Sequence, residues 1–311
     1  MTNLIESRIG RQGFVILDGG LATELEKHGA DLDHFLWSAR LLAEAPELIG
    51  QVHQDYFAAG TDVIATATYQ ASFGGFERAG IGREQGEALM RLSVDLAVRA
   101  RDRFWSSPEH RVGRLPPLIA ASIGPYGACL HDGSEYHGNY DIGRQALLDF
   151  HRPRMDILAD TRADLFAFET IPSQEEGEVL VELLGEYPGK HAWLSFSCRD
   201  GQHVSHGERF ADCAALADAS DQVVAVGINC TAPQHVSELL ESARDVHTPL
   251  VVYPNSGEHW IATDNRWAGH ECGAFPVRDW YERGARLLGG CCRTGPDDIR
   301  RVRAELLRIV G

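Results

Sequence analysis

Val223-Val224-Ala225-Val226-Gly227-Ile228-Asn229-Cys230 is an apolar run that turns polar only at its carboxyl end. A strand with one wet face alternates apolar and polar side chains. A run that is apolar throughout instead reads as a strand covered on both faces, the condition of parallel strands in α/β proteins. Seven further runs share the pattern: Phe14 to Leu17, Val63 to Thr66, Leu118 to Ala121, Leu165 to Phe168, Ala192 to Phe196, Leu250 to Tyr253 and Arg286 to Gly289. Between them lie stretches with apolar residues at helical spacing. Glu84 to Phe104 carries Leu89, Leu92, Leu96 and Val98, and Pro296 to Val310 carries Ile299, Val302, Leu306 and Ile309. The latter opens on Thr294-Gly295-Pro296-Asp297-Asp298, a cap followed by a first-turn proline and acids that suit the helix dipole. Strand and helix alternating in this way predict an α/β fold, a single (β/α)8 TIM barrel of eight parallel strands with residues 1–311 as one domain. An open doubly wound sheet is the competitor, but no G-x-G-x-x-G follows the first strand.

The barrel reading gives the polar residues a common address. Asp18-Gly19-Gly20 ends strand one, Thr68-Tyr69-Gln70 strand two, Gly124-Pro125-Tyr126 strand three and Glu169-Thr170 strand four. Asn229-Cys230 ends strand six, Pro254-Asn255-Ser256 follows strand seven, and Gly289-Gly290-Cys291-Cys292 ends strand eight. Carboxyl ends of barrel strands surround one mouth, so these residues converge. Three thiols from two distant segments are a metal-ligand set with one position open, as in catalytic zinc sites. Paired C-x2–4-C spacing, the structural pattern, is missing, and buried thiols that merely pack are the alternative on spacing alone. Vicinal Cys291 and Cys292 can grip one ion only where the strand ends and the backbone turns. Taken singly, Asp18 and Asn255 also fit turns, Glu169 a helix cap, and Tyr126 or Tyr253 rim packing.

Composition narrows the setting. Lys plus Arg number 29 against 45 for Asp plus Glu, a net charge of −16, and no basic stripe is present for nucleic acid or an anionic membrane. Met1 to Gly10 lacks a signal-peptide pattern, and no segment approaches a membrane-spanning apolar run, so a cytoplasmic location is expected. Seven cysteines, an odd number, suit a reducing compartment. Oligomeric state is not legible.

Eight ordered motifs carry a family resemblance: Asp18-Gly19-Gly20, Thr66-Ala67-Thr68-Tyr69-Gln70, Gly124-Pro125-Tyr126-Gly127, Asp132-Gly133-Ser134-Glu135-Tyr136, Glu169-Thr170, Gly227-Ile228-Asn229-Cys230, Val252 to Glu258, and Gly289-Gly290-Cys291-Cys292-Arg293. From about Leu17 to Ile299 the chain resembles the homocysteine S-methyltransferase family, nearest to its short S-methylmethionine-dependent members. The resemblance implies a (β/α)8 barrel and Zn²⁺ held by Cys230, Cys291 and Cys292, with homocysteine and a methyl sulfonium donor as small-molecule partners. It further implies that Asp18 and Glu169 hold the homocysteine ammonium, that amides near Gly19 and Gly20 hold its carboxylate, and that Asn229 supports the metal or serves as a temporary ligand. Thr68, Tyr126 and Asn255 are further candidate substrate contacts. Gly20 stands where relatives often carry alanine, a change a tight turn absorbs. The loop from Tyr126 to Tyr140 is expected to close over the donor, with Tyr126, Tyr136 or Tyr140 offering cation–π attraction.

Two other functions compete. One keeps the zinc but uses S-adenosylmethionine, betaine or a methylated folate as donor, or a selenol as acceptor. The chain is short for folate and cobalamin modules and ends at Gly311 without a long oligomerisation arm, which weighs against it. The other is a non-enzymatic zinc or thiol redox barrel. Among the remaining residues, His259, His270 and Cys272 read as a solvated loop rather than a second metal cluster. Cys129, Cys198 and Cys213 read as packing thiols. His203 and His206 receive no role, and Pro153 predicts a kink or break in its helix.

Overall fold

The computed structural model describes residues 3–31, 38–130, 132–261, 266–269 and 272–311. The apolar runs form β1 (Val15–Ile16), β2 (Val63–Ala65), β3 (Leu118–Ile123), β4 (Leu165–Ile171), β5 (Ala192–Phe196), β6 (Val223–Asn229), β7 (Leu250–Tyr253) and β8 (Ala285–Leu288). They pair in the order β1-β8-β7-β6-β5-β4-β3-β2, every pair parallel. A parallel bridge between Leu17 and Val63 joins the two ends and closes the ring. This is the (β/α)8 barrel the alternation predicts.

Strand side chains alternate between two cores because successive residues point to opposite faces. Val15, Leu118, Ala120, Leu165, Trp193 and Val251 fill the interior, where Ile5 of helix Leu4–Gln12 joins them. Ile16, Ile64, Ile119, Phe166, Leu194 and Val252 pack against the surrounding helices. The two long amphipathic stretches form helices Arg83–Ser106 and Pro296–Val310, and the Gly295 amide donates to the Asp298 carboxylate at 2.9 Å. Among the described residues no helix is long and apolar enough to cross a membrane.

Two local expectations need correction. Pro153 lies inside one continuous helix, Arg144–Ala159, so of the two expected outcomes the break does not occur; buried Leu147, Met155, Ile157 and Leu158 hold the turns on either side. The polar stretch read as a solvated loop contains a short antiparallel hairpin, His259–Ile261 with Arg266–Ala268, whose register sets Trp260 opposite Trp267. Aromatic residues favour strands, and that preference outweighs the polar surroundings. His270 lies outside the described residues; Cys272 is exposed.

Gly227 sits between Ser195 of β5 and Val251 of β7, and a Cβ there would fall 1.9 Å from the Val251 carbonyl oxygen. Gly227→Ala must therefore push β6 and β7 apart. The expected cost is about 3 kcal/mol or more, read as a lower urea midpoint; an unchanged midpoint would contradict this strand approach.

Candidate active site

Cys230 follows the last residue of β6, while Cys291 and Cys292 follow Gly289-Gly290 at the end of β8. The intervening strand holds both ends. The Cys230 amide donates to the Tyr253 carbonyl at 3.3 Å and the Cys291 amide to the Pro254 carbonyl at 2.8 Å. Beyond Cys291 the chain turns, with Thr294 donating to the Cys291 carbonyl through its amide at 3.1 Å and its hydroxyl at 2.6 Å. Neither preceding glycine can carry a side chain: a Cβ would lie 2.7 Å from the Asp18 carbonyl oxygen at Gly289 and 2.2 Å from Thr294 Oγ1 at Gly290. The turn brings both vicinal thiols to one side, as a shared ion requires.

Cys230 Sγ lies 2.9 Å from Cys291 Sγ and 3.5 Å from Cys292 Sγ, and all three sulfurs fall within 4.8 Å of one another. A tetrahedral ion with metal–sulfur bonds of about 2.3 Å spaces its sulfurs about 3.8 Å apart. The cluster therefore fits an ion after slight spreading. Hydrogen bonds from Cys291 and Cys292 hold the Cys230 thiol well below its ordinary value, helped by the Tyr136 hydroxyl. The resulting charge pushes the Cys292 thiol up, and the Cys291 thiol with it.

Asn229 is fully buried behind the cluster. Its Oδ1 accepts from the Thr170 amide at 2.7 Å and Ser195 Oγ at 2.9 Å; its Nδ2 donates to Thr170 Oγ1 at 2.7 Å and approaches Cys291 Sγ at 3.8 Å. Ser195 Oγ is 2.5 Å from the Tyr253 hydroxyl, which accepts from Trp193 Nε1 at 2.9 Å and donates to Glu169 Oε2 at 3.2 Å. One network thus ties a cysteine sulfur to a carboxylate across β4, β5, β6 and β7. The sequence reading missed Trp193, Ser195 and Tyr253 as part of it. Its one visible signal was a serine in an otherwise apolar strand.

Glu169 also accepts a short hydrogen bond from Ser122 Oγ. Both Asp18 and Glu169 keep some exposure to the mouth, yet burial dominates their chemistry. It pushes the Glu169 carboxyl up to about 7 against the opposing Ser122 and Tyr253 donors. Asp18, which accepts from the Ala65 amide at 2.9 Å, is raised by burial and secondarily by Glu169. Thr68 is buried, linked to Thr66 at 2.7 Å and donating to the Ser122 carbonyl at 2.7 Å, which locks the end of β2 to β3.

The remaining candidates divide by contact. The Gly20 amide donates to the Thr294 carbonyl at 3.0 Å, which commits it to the fold, and helix Leu21–Lys27 starts directly after it. Asn255 Oδ1 accepts from the Gly257 amide at 3.0 Å, a turn contact. Residues 126–140 include helix Tyr126–Leu130 and a 3-10 turn, Ser134–Tyr136. Tyr126 packs edge-on against Tyr140 and Phe150 with ring centres 5.3 and 5.1 Å away, so Tyr136 is the tyrosine of this segment that meets the cysteines. Behind them, buried Glu176 accepts from the Tyr126 amide at 2.6 Å, His151 at 2.9 Å and the Tyr140 hydroxyl at 3.1 Å. Cys198 and Cys213 are buried in the outer core and Cys129 is half-buried, as packing thiols should be. His203 and His206 pair with Asp200 and Glu208 at 3.0 and 2.9 Å.

Comparison with known proteins agrees with this arrangement. A family model described as homocysteine S-methyltransferase matches residues 15–306. Homocysteine S-methyltransferase YbgG of Bacillus subtilis strain 168 is 49% identical over 306 residues, covering 97% of both chains. Selenocysteine Se-methyltransferase of Brassica oleracea var. italica is 45% identical, covering 95% of this chain and 89% of its own length. The metallated form of the Escherichia coli homocysteine methyltransferase MmuM superposes with a TM-score of 0.88 at 43% identity, covering 97% of this chain and 100% of that one. Its apo form gives 0.79 at 39% identity, covering 97% and 99%.

A carboxyl raised from 4.5 to about 7 by folding stabilises the native state fully below its unfolded value and loses that contribution as pH climbs through its folded one. In metal-free, reduced protein, Glu169→Gln is expected to raise the melting temperature progressively between pH 4.5 and about 7 and by a constant amount above. Parallel melting curves across that window would refute the assigned burial.

Proposed function

The chain belongs to the homocysteine S-methyltransferase family, and on that premise we propose that it carries a methyl group from S-methylmethionine to L-homocysteine at a Zn²⁺ held by Cys230, Cys291 and Cys292. The single observation that supports this reading most is the convergence of three thiols within 4.8 Å at a barrel mouth that also carries two half-buried carboxyls. Bound there, Zn²⁺ would offer its remaining position to the homocysteine sulfur and keep that sulfur deprotonated at neutral pH.

The protein's own groups do the rest. Asn229, fixed by Thr170 and Ser195, holds the Cys291 sulfur in place through Nδ2. Asp18 and Glu169 receive the substrate ammonium, whose charge lets both give up their protons. The Gly19 amide and the first turn after Gly20 receive the carboxylate. The nucleophilic sulfur then attacks the sulfonium methyl in line: one carbon–sulfur bond forms, another breaks, and its electron pair leaves on a neutral thioether. Thiolate and sulfonium become two thioethers, both methionine, so no proton is needed. Seven free cysteines support a reducing, cytoplasmic setting, and residues 1–311 serve as one domain. The Brassica relative's name favours a second reading, a selenol as alternative acceptor.

A donor panel decides the first point. Reduced, zinc-loaded protein with homocysteine should turn over S-methylmethionine at a higher kcat/KM than S-adenosylmethionine or betaine; a preference for betaine would overturn the donor assignment. Cys230→Ser and Cys292→Ser should lose bound zinc by elemental analysis together with activity, and a variant retaining both would remove that residue from the ligand set. The ionised Glu169 is the competent form, so kcat/KM for homocysteine should rise with pH as that carboxyl, raised by burial, gives up its proton. Tyr253→Phe deletes a donor that favours the carboxylate, so this limb should move to higher pH; a shift downward would mean the hydroxyl acts otherwise.

A further inference from the structure

Among the described residues Glu135 is the acid of the mouth that the fold leaves without a side-chain partner. Its side-chain Oε2 is buried and accepts no hydrogen bond, and among the described residues the carboxylate is served only by its own backbone N–H. The other acids nearby are provided for: Glu176 by three donors, Glu169 by Ser122 and Tyr253, Asp18 by Ala65, and Glu258 by Arg293 at 2.9 Å. Among the described residues Glu135 has no Lys, Arg or His beside it; its neighbours in charge are Asp132, Tyr69, Tyr136, Tyr140 and Cys129. An unpaired buried carboxylate is costly. A cation that arrives with substrate would relieve that cost.

The position is rigid and close to the cysteines. Ser197 Oγ donates to the Glu135 carbonyl at 3.1 Å, and the turn presses on helix Tyr126–Leu130 so tightly that a Cβ on Gly127 would stand 2.6 Å from the Glu135 amide nitrogen. Tyr136, the next residue, reaches the Cys230 thiol, and Tyr69 lies in the field of both Glu135 and Cys230. Glu135 is therefore one residue away from the tyrosine that meets a metal ligand, on the side of the barrel mouth where the cysteines lie.

We propose that Glu135 is the counter-charge for the sulfonium of the methyl donor and the group that makes this mouth prefer a cationic S-methyl compound to its neutral thioether. The inference rests on the sulfonium-donor reading above. A trialkyl sulfonium neither donates nor accepts hydrogen bonds, so it is recognised by charge and by aromatic faces, here those of Tyr136 and Tyr69. Transfer of the methyl cancels the charge, and the attraction to Glu135 ends with it. Because the positive charge is largest in the bound donor and smaller in the transition state, this contact governs donor binding and product release rather than the chemical step.

The test uses full-length, zinc-loaded protein with Glu135→Gln and Glu135→Asp. In the Gln variant the KM for S-methylmethionine should rise roughly tenfold or more, the worth of a charge-assisted contact, while kcat holds or rises and homocysteine KM and zinc content stay the same. Trimethylsulfonium, a cation with no amino group, should weaken by a similar factor as a competitor of the donor. Methionine should compete as before, and Asp should restore part of the cation binding. An unchanged donor KM, equal losses for methionine and trimethylsulfonium, or a loss confined to S-methylmethionine would each overturn the assignment, the last by moving the contact to the donor's ammonium. Should the wild type not turn over S-methylmethionine, the donor reading fails separately. Calorimetric binding of trimethylsulfonium to wild type and the Gln variant would then still decide the role of Glu135, equal affinities refuting it.

Discussion

One strand stands between the two that carry the thiols, and the whole site depends on that separation. Neighbouring strands lie about 4.8 Å apart, so the ends of β6 and β8 are about 10 Å from each other across β7. Thiols on fully extended ends would not meet over that gap. They meet because both chains bend inward at the last residue of the strand, and the end of β7 fixes both bends: Tyr253 and Pro254 present successive carbonyls to the amides of Cys230 and Cys291. Cys230 takes a positive φ of 47° to do so, a left-handed conformation that a side chain adopts at some cost. The glycines before Cys291 then let β8 and the following turn pack against β1.

Strain and unpaired charge gather around this junction. Besides Cys230, Thr170 and Arg293 have positive φ, at 62° and 66°, each directly after a site residue, Glu169 and Cys292. Asp18, Glu169 and Glu135 are all pushed up by burial. A protein selected for stability alone would relax these backbones and neutralise these acids. They persist because the remainder of the barrel, with its interior and outer cores, holds the strand ends in register and supplies the stability they withdraw.

The fold was legible because its signal is periodic and repeated. All eight barrel strands lie where the apolar runs put them, and the cysteines were legible once those runs placed them on one rim. What could not be read was contact. Trp193, Ser195 and Tyr253 sit inside apolar strands, where a tryptophan, a lone serine or a tyrosine reads as ordinary filling; only the register of β5, β6 and β7 turns them into a hydrogen-bonded path from Glu169 to Asn229. Pro153 misled as to a break because a local rule about the missing N–H ignores the packing of the helix around it. The tyrosines of the 126–140 segment looked alike in sequence, yet Tyr126 and Tyr140 pack on each other while Tyr136 turns to the cysteines.

Hydrogen-bond supply separates the acids of the mouth into kinds. Glu176 is saturated by Tyr126, His151 and Tyr140, so it serves the fold by pinning the segment after β3 to the helix behind it. Glu169 is half-supplied, by two hydroxyls and no cation, which orients it while leaving charge to offer. Glu135, among the described residues, receives nothing beyond its own amide. The series runs from structural to ligand-binding in proportion to what the protein withholds. A homocysteine ammonium and a donor sulfonium are the two positive charges this reaction brings to the mouth, and they match the positions where the protein has supplied acid without base.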